Sequence, residues 1–122
     1  MSSSTTVQNS IRSFKAGEAL DEYLVVKIES DGDVVKAETG TLLPVVGVTT
    51  RGAASGETTP IALINGGGTA YVTASEAIAA GDNVFTHTGG KVEKSLANAT
   101  RIGVALEAAA DDGDVIEIAF FQ

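Results

Sequence analysis

The chain has 122 residues, 43% of them hydrophobic, and no cysteine, so it can form one domain with a modest core but no disulfide framework or thiolate metal site. Its net charge of −8 argues against nucleic acid and anionic lipid as partners of the folded body. No apolar run approaches the ~18 residues that span a membrane, and with few aromatic residues and no Trp the core is light, which favours oligomerisation.

The first predicted element is a flexible N-terminal arm over residues 1–15. Its opening, "MSSSTTVQNS", is rich in Ser and Thr and poor in apolar residues, a composition typical of a terminus that is mobile when the protein is alone. Arg12 and Lys15 give residues 1–17 a charge of +2, whereas the rest of the chain carries −10. Two interpretations stay open: a terminus without a role, and an arm that becomes ordered on a partner.

Residues 16–122 are predicted to form a single β domain. Segments rich in β-branched and apolar residues alternate with turns such as "SDGD" and "NGGG". In chain order, the nine predicted strands are "YLVVKIE", "VVKA", "PVVGVTT", "TTPIALI", "TAYVTA", "NVFTHT", "KVEKS", "RIGVALE" and "DVIEIAFF". The best helical candidate, "ASEAIAAGD", predicts one or two turns with Ser75 as N-cap and Gly81 as stop. The pattern predicts an all-β fold, a compact sandwich or barrel.

The two halves of this domain resemble each other and are interpreted as pseudo-repeats, about 16–64 and 74–121. The matched pairs are Glu18 and Glu76, Val26 and Val84, Gly32 and Gly90, Val34 and Val92, Lys36 and Lys94, Gly47 and Gly103, Gly56 and Gly113, and Ile61 and Ile118. A glycine inside a strand, such as Gly47 or Gly103, predicts a bulge or a close approach of two backbones. We expect one supersecondary unit used twice, as two halves that cover each other's apolar faces.

The residue combinations that catalysis or metal binding requires are missing. His87 is the single histidine, and without a cysteine or a second histidine a transition-metal site is not expected. The acidic turns "SDGD" and "DDGD" match no twelve-residue calcium loop, and Asp favours turns by bonding to its own backbone. We predict that the protein is not an enzyme and has no cofactor and no metal; calcium at the acidic turns is the alternative.

One long stretch carries a family resemblance. "EAIAAGDNVF", followed by "GGKVEKSLANATRIGVALEAAADDGDVIEIAF", resembles small tailed-phage head proteins known as capsid cement or decoration proteins. The shared elements are Ala80-Gly81-Asp82, Gly90-Lys91-Val92, Ile102 to Ala105, and Gly113 to Ile116. The resemblance covers about residues 11–122. In the first half Asp21-Glu22-Tyr23 replaces the Ala-Gly-Asp element, whereas Val46-Gly47-Val48 keeps the pattern.

The resemblance implies a β-sandwich or barrel on the outer capsid surface of a virion assembled in the host cytoplasm. It implies a homotrimer at three-fold and quasi-three-fold positions, with the major capsid protein as partner and neither nucleic acid nor a membrane. The N-terminal arm is then expected to lie along the capsid. Its predicted capsid-binding residues are Val7, Ile11 and Phe14 as apolar anchors, and Arg12 and Lys15 for acids on the capsid; alternatively, Ile11 and Phe14 begin the β core.

Two further interpretations concern exposed surfaces. A carbohydrate- or host-surface-binding module on the virion is the alternative function, and it predicts exposed aromatic rings in a groove, for which Tyr23 and Tyr71 are the only tyrosines. The segments "TLLPVVGV" and "AFF" are candidates for a trimer contact because they are apolar and uncharged. Burial in the core explains these two segments equally well.

Overall fold

The computed structural model describes residues 10–39, 44–94 and 100–120. These residues form ten strands and two single-turn 3-10 helices, with no α-helix among them. The strands are β1 (Ile11–Lys15), β2 (Val25–Ile28), β3 (Val34–Lys36), β4 (Val45–Thr49), β5 (Thr58–Leu63), β6 (Thr69–Thr73), β7 (Asn83–His87), β8 (Lys91–Glu93), β9 (Arg101–Ala105) and β10 (Val115–Phe120), and the 3-10 helices are η1 (Ile64–Gly66) and η2 (Thr88–Gly90). The nine predicted strands are present, and β1 is an additional strand inside the predicted arm.

The strands form two antiparallel sheets with the same internal order. The first sheet runs β1-β5-β4-β2-β3 and the second runs β6-β10-β9-β7-β8. Each position in the first sheet therefore has a counterpart five strands later in the chain. We call β1 to β5 the first unit and β6 to β10 the second unit. The prediction of an all-β fold built from two pseudo-repeats is confirmed.

Equivalent contacts close both units. Ala16 forms a parallel bridge with Val34, and Ala74 forms the same bridge with Val92, so each sheet curls until its first strand approaches its last. The register of β2 against β4 shifts after Val26, and that of β7 against β9 shifts at the equivalent position. These shared irregularities show that the repeat extends to bulges and closure as well as to strand order.

The sequence match of Glu18 to Glu76 and of Lys36 to Lys94 between the two pseudo-repeats has a structural cause. The backbone N–H of Lys36 donates to Glu18 Oε2 at 2.8 Å, and that of Lys94 donates to Glu76 Oε2 at 3.0 Å. In each unit a carboxylate satisfies a backbone donor at the end of the third strand. The lysine side chains take no part in these bonds.

The strand glycines mark close approaches of two backbones, as predicted. A Cβ on Gly47 would lie 2.0 Å from the carbonyl oxygen of Ala62, and one on Gly103 would lie 2.1 Å from that of Ala119. Neither distance is compatible with a side chain, since both obstacles are backbone atoms of the adjacent strand. Each unit therefore needs glycine at this position.

The core is divided between the units in an unequal way. The first unit has its own buried cluster: Phe14, Ala16, Leu20, Val26, Val34 and Ile61. The equivalent residues of the second unit belong to a larger cluster that also contains Val25, Val48 and Ala62 from the first unit. Each sheet thus wraps its own interior, and the outer face of the first sheet is covered by the second unit. The expectation that the halves cover each other's apolar faces holds only for this one face.

The predicted helix in residues 74–82 is wrong. Ala74 and Ile78 both form β-bridges and are buried, and the hydroxyl of Ser75 donates to the carbonyl of Val92 at 2.9 Å instead of capping a helix. Burial of these apolar side chains in the curled sheet outweighs the helical preference of the alanines, since so short a segment gains little from propensity alone.

Candidate protein-binding surface

The structure places four of the five predicted capsid-binding residues in β1. Ile11 is 54% exposed, and Arg12 and Lys15 are exposed as well. Phe14 is only 8% exposed and belongs to the core of the first unit. Its prediction as a capsid anchor is corrected: Phe14 begins the β core, which is the alternative left open by the sequence. Val7 lies outside the described residues.

β1 is the outer strand of the first sheet and pairs with β5. The carbonyl of Ser10 accepts from the N–H of Leu63 at 2.7 Å, and the N–H of Ala16 donates to the carbonyl of Glu57 at 2.8 Å. Because pairing alternates along an antiparallel ladder, the backbone groups of the odd-numbered residues Ile11 to Lys15 point away from β5. Among the described residues, the Ala16–Val34 bridge occupies this edge just after β1, and the edge at Ile11 and Ser13 can pair with another chain.

The exposed side chains of β1 carry positive charge on an acidic protein. The Arg12 guanidinium carbon lies 4.4 Å from the centroid of the Phe14 ring, a cation–π contact that positions the guanidinium over the rim of the first core. Lys15 projects from the same strand near its end. This strand is thus a basic, partly apolar edge suited to an acidic protein surface.

The two units meet at a joint built around β6, the strand of the second unit that is equivalent to β1. The N–H and the hydroxyl of Thr73 both donate to the carbonyl of Tyr23, at 3.0 and 3.1 Å. The N–H of Gly90 donates to the carbonyl of Ala37 at 2.9 Å. A Cβ on Gly90 would lie 2.9 Å from the carbonyl oxygen of Val25, so only glycine lets the two units come this close.

Tyr23 is the strained residue of the joint. Its φ of 64° makes it the only non-glycine residue in the described ranges with positive φ. Its equivalent in the second unit is Gly81, which has a φ of 92°. The replacement of the Ala-Gly-Asp element by Asp21-Glu22-Tyr23 was visible in the sequence and marks this position. Its role at the joint was not predicted, because that role depends on β6.

A groove of about 210 Å³ runs beside the joint, lined mainly by Tyr23, Val48, Thr50, Ala62, Thr69 and Tyr71. The two tyrosine rings meet edge to face with centroids 6.0 Å apart. The hydroxyl of Thr69 donates to Glu117 at 2.8 Å, and among the described residues no charged or amide side chain lines the groove. Two aromatic rings in a groove, with Tyr71 50% exposed, are what the carbohydrate- or host-surface-binding alternative predicts, and that alternative stays a prediction.

The outer face of the second sheet exposes several apolar side chains. Leu106 is 48% exposed and Val115 is 43% exposed, whereas Val104 and Ala119 are half-buried. Ala119 pairs with Val104 in the register of β10 and β9, so their side chains lie on the same face. Glu117 lies on β10 between the exposed Val115 and the half-buried Ala119.

The acidic turns bind their own backbone. Asp31 Oδ1 accepts from the N–H of Asp33 at 2.9 Å, and Asp114 Oδ2 accepts from the N–H groups of Ala110 and Asp111 at 2.8 and 3.1 Å. These bonds support the turn interpretation of both clusters. Within the described ranges, no three His, Cys, Asp or Glu side chains are grouped as metal ligands would be.

The single histidine lies at the end of β7 and contacts polar neighbours. His87 Nδ1 is 2.8 Å from Glu93 Oε2 and 3.4 Å from the hydroxyl of Thr39. Glu93 is largely buried, whereas His87 is partly exposed. The contact between Thr39 and His87 links the first unit to the second near η2, and so it belongs to the joint.

In the part of the chain that the structure describes, no helix is long and apolar enough to cross a membrane.

The two predicted trimer-contact segments lie partly outside the described residues, at 41–43 and 121. In their described parts, Val48 is fully buried at the joint and Phe120 is buried in the second core. Ala119 is half-buried on the outer face of the second sheet. Core burial therefore accounts for Val48 and Phe120, and of these three only Ala119 is placed to meet another chain.

Comparisons with known proteins agree with the resemblance seen in the sequence. A family model described as phage cement protein matches residues 14–120. The solved structure of head fiber gp8.5 N base in bacteriophage phi29 is similar, with a TM-score of 0.73 and 19% identity over 93% of this chain and 95% of that chain. At that identity the likeness concerns the fold alone. No curated protein matches the sequence.

Proposed function

The chain belongs to the phage cement protein family and is a structural protein associated with the phage head, and we propose that it binds the outer surface of a tailed-phage capsid as a homotrimer. Its positions are the three-fold and quasi-three-fold points, where subunits of the major capsid protein meet. It assembles onto the head in the host cytoplasm and stabilises those contacts by binding, without catalysis.

The observation that carries this proposal is the extent of the family match. It spans residues 14–120, from the last residues of β1 to the end of β10. The match therefore covers both units and the joint between them. The family match therefore concerns the whole β domain and not one part of it.

The physical mechanism follows from where such a body sits. A filled head is under internal pressure, which pulls neighbouring subunits apart. A trimer that touches several subunits adds contact area across their seams, and its weak sites engage together, so the combined affinity far exceeds that of one site. The net charge of −8 keeps unbound copies soluble until they meet the shell.

We assign the capsid contact to the segment that precedes β1, including Val7. This segment leads into an outer strand that, among the described residues, has no neighbouring strand beside Ile11 and Ser13, so a chain extended from it can add a strand to a sheet of the capsid protein. Residues 1–17 contain no acid, in contrast to the body, so the segment is not repelled by an acidic capsid surface. Backbone bonding supplies affinity and Val7 supplies an apolar anchor.

Co-sedimentation with expanded empty capsids tests the proposal. We expect the full chain to pellet with capsids, and a chain without residues 1–9 to bind more weakly while its circular dichroism stays β-rich. Val7→Asp should weaken binding more than the matched control Gln8→Asp, since both add one negative charge but only the first removes an apolar anchor. Equal binding with and without residues 1–9 would refute the arm. A full chain that never pellets would refute the function.

A further inference from the structure

The joint within the chain is a contact between two unlike surfaces. The first unit contributes the outer face of its sheet, where Val25, Val48 and Ala62 are fully buried. We call this face the socket. The second unit contributes β6 and η2, which we call the plug. Its Ala70 is buried in the same cluster as the socket residues, and β4 contacts β6 directly.

Because the two units share one fold, each unit has a face equivalent to the socket and a strand equivalent to β6 of the plug. The joint within the chain uses the socket of the first unit and the plug of the second, so the equivalent socket of the second unit and the equivalent plug strand of the first are not used in it. In the second unit, Val104 and Ala119 stand at the positions of Val48 and Ala62, and the structure leaves them half-buried on the outer face of the sheet. This is a second socket. In the first unit, β1 stands at the position of β6, with the exposed Arg12 in the place of the buried Ala70, and a turn at residues 30–32 stands at the position of η2. Ile11 of this β1 strand is 54% exposed. This is a second plug.

The backbone of the second socket already has the geometry of the first. The N–H of Tyr23 donates to the carbonyl of Thr49, and the N–H of Gly81 donates to the carbonyl of Ala105, the equivalent residue. Both residues have positive φ, so their carbonyl groups lie at equivalent places. The carbonyl of Tyr23 accepts the N–H of Thr73 across the joint, and the residue equivalent to Thr73 is Lys15.

We propose that β1 of one copy packs on the outer face of the second sheet of another copy, repeating between chains the joint that exists within each chain. The Lys15 N–H, which points away from β5, then donates to the carbonyl of Gly81 in the neighbour. Open space above Gly81, where the first unit carries the Tyr23 side chain, leaves room for the lysine. The contact is heterologous, because plug and socket are different surfaces.

Exposed apolar area and charge both favour a second copy as the occupant. Ile11 lies on the plug and Leu106 lies at the rim of the second socket, where the first socket has Thr50, so exposed apolar side chains meet. The β1 part of the second plug is basic through Arg12 and Lys15, although the turn beside it carries Asp31, whereas the second unit is acidic, with Glu117 on the socket face. Opposite charges on β1 and on the second unit steer the copies together.

This inference rests on the homotrimer of the proposed function and names its interface. A heterologous contact builds either a closed ring or an open chain of copies, and the homotrimer is the ring of three. It also reassigns Ile11, Arg12 and Lys15 from the capsid to a neighbouring copy. The segment before β1 keeps the capsid contact. Val115 is equivalent to Thr58, which is exposed and lies outside the joint, so Val115 falls outside the proposed interface.

Cysteine cross-linking tests the contact directly, since the chain has no cysteine of its own. Ser13 and Leu106 are equivalent to Tyr71 and Thr50, which line one groove at the joint. We expect a short bismaleimide to join a Ser13→Cys chain to a Leu106→Cys chain when the two are mixed, and to join neither to itself. Ser13→Cys mixed with Val115→Cys is the matched control and should give little product.

Light scattering supplies the second measurement. The unmodified chain should have three times the 12.3 kDa mass of one chain, Val104→Arg should reduce it to one chain, and Val115→Arg should leave the trimer intact. Circular dichroism checks that both variants fold. A trimer that survives Val104→Arg, or equal cross-linking of the Val115→Cys control, would overturn the proposed interface. A Val104→Arg monomer that still pellets weakly with capsids through its arm would uphold both proposals. If the unmodified chain forms the trimer but does not pellet with capsids, the proposed function is contradicted and the proposed interface is not.

Discussion

Replacing Gly103 by alanine should destabilise the protein strongly. The new Cβ would lie 2.1 Å from the carbonyl oxygen of Ala119 and 3.1 Å from its carbonyl carbon. Both are backbone atoms of β10, which pairs on one side with β9 and on the other with β6. The obstacle therefore cannot rotate away as a side chain would, and β9 and β10 must separate by roughly 1 Å to restore an ordinary contact.

The magnitude follows from what this separation breaks. Overpacking a well-packed interior costs typically 1–3 kcal/mol, and a rigid obstacle puts Gly103→Ala at about 3 kcal/mol. Gly113→Ala is the matched control, because Gly113 has a φ of 95° but nothing lies within 4 Å of its added Cβ. Only backbone strain of about 1 kcal/mol applies there. The expected difference between the two variants is thus about 2 kcal/mol.

Urea unfolding followed by circular dichroism measures this difference as a shift in midpoint at constant slope. All chains should be compared at one protein concentration, since self-association adds to apparent stability. Gly47→Ala should behave like Gly103→Ala, because its Cβ would lie 2.0 Å from the carbonyl oxygen of Ala62. If Gly103→Ala proves no less stable than Gly113→Ala, the close approach of β9 and β10 is not a constraint on the fold.

Further variants separate core from surface. Phe14→Ala should cost about 3–5 kcal/mol, because the ring is buried; a variant with unchanged thermal unfolding and weaker capsid binding would contradict this. Glu18→Ala should cost about 1–2 kcal/mol in urea unfolding, because the Lys36 N–H loses its partner in a partly buried place. Glu76→Ala should cost less, since the Lys94 N–H is exposed and water replaces the carboxylate; equal costs would show that burial does not set the difference.

Most strands could be predicted from the sequence because their signal is local. "VIEIAF" alternates between buried and less buried residues along β10, and turns such as that before Asp33 carry Asp and Gly in the positions that turns require. The close approach at Gly47 and Gly103 was also predictable, since a glycine inside a strand has few other uses. These features depend on neighbours in the sequence or on one adjacent strand.

β1 was anticipated only as an alternative to the arm, and the short segment before β7 was predicted wrongly, for a common reason. β1 buries only Phe14, so its pattern is weak, and its partner β5 lies more than forty residues away in the chain. In residues 74–82, the alanines suggest a helix, but Ala74 and Ile78 are held by bridges to distant residues. Where long-range pairing decides the local structure, propensity is a poor guide.

The joint explains why the two units differ where they do. Interior positions keep the same character, as at Val26 and Val84, because each sheet must fill its own core. The sockets differ in sequence: Tyr23 and Val25 of the first unit are equivalent to Gly81 and Asn83 of the second. A socket that is always occupied by the attached unit tolerates a strained tyrosine and a fully buried valine. A socket that must remain soluble until another copy arrives is better served by a small residue and an amide. The divergence is therefore the pattern expected if one socket is filled within the chain and the other between chains.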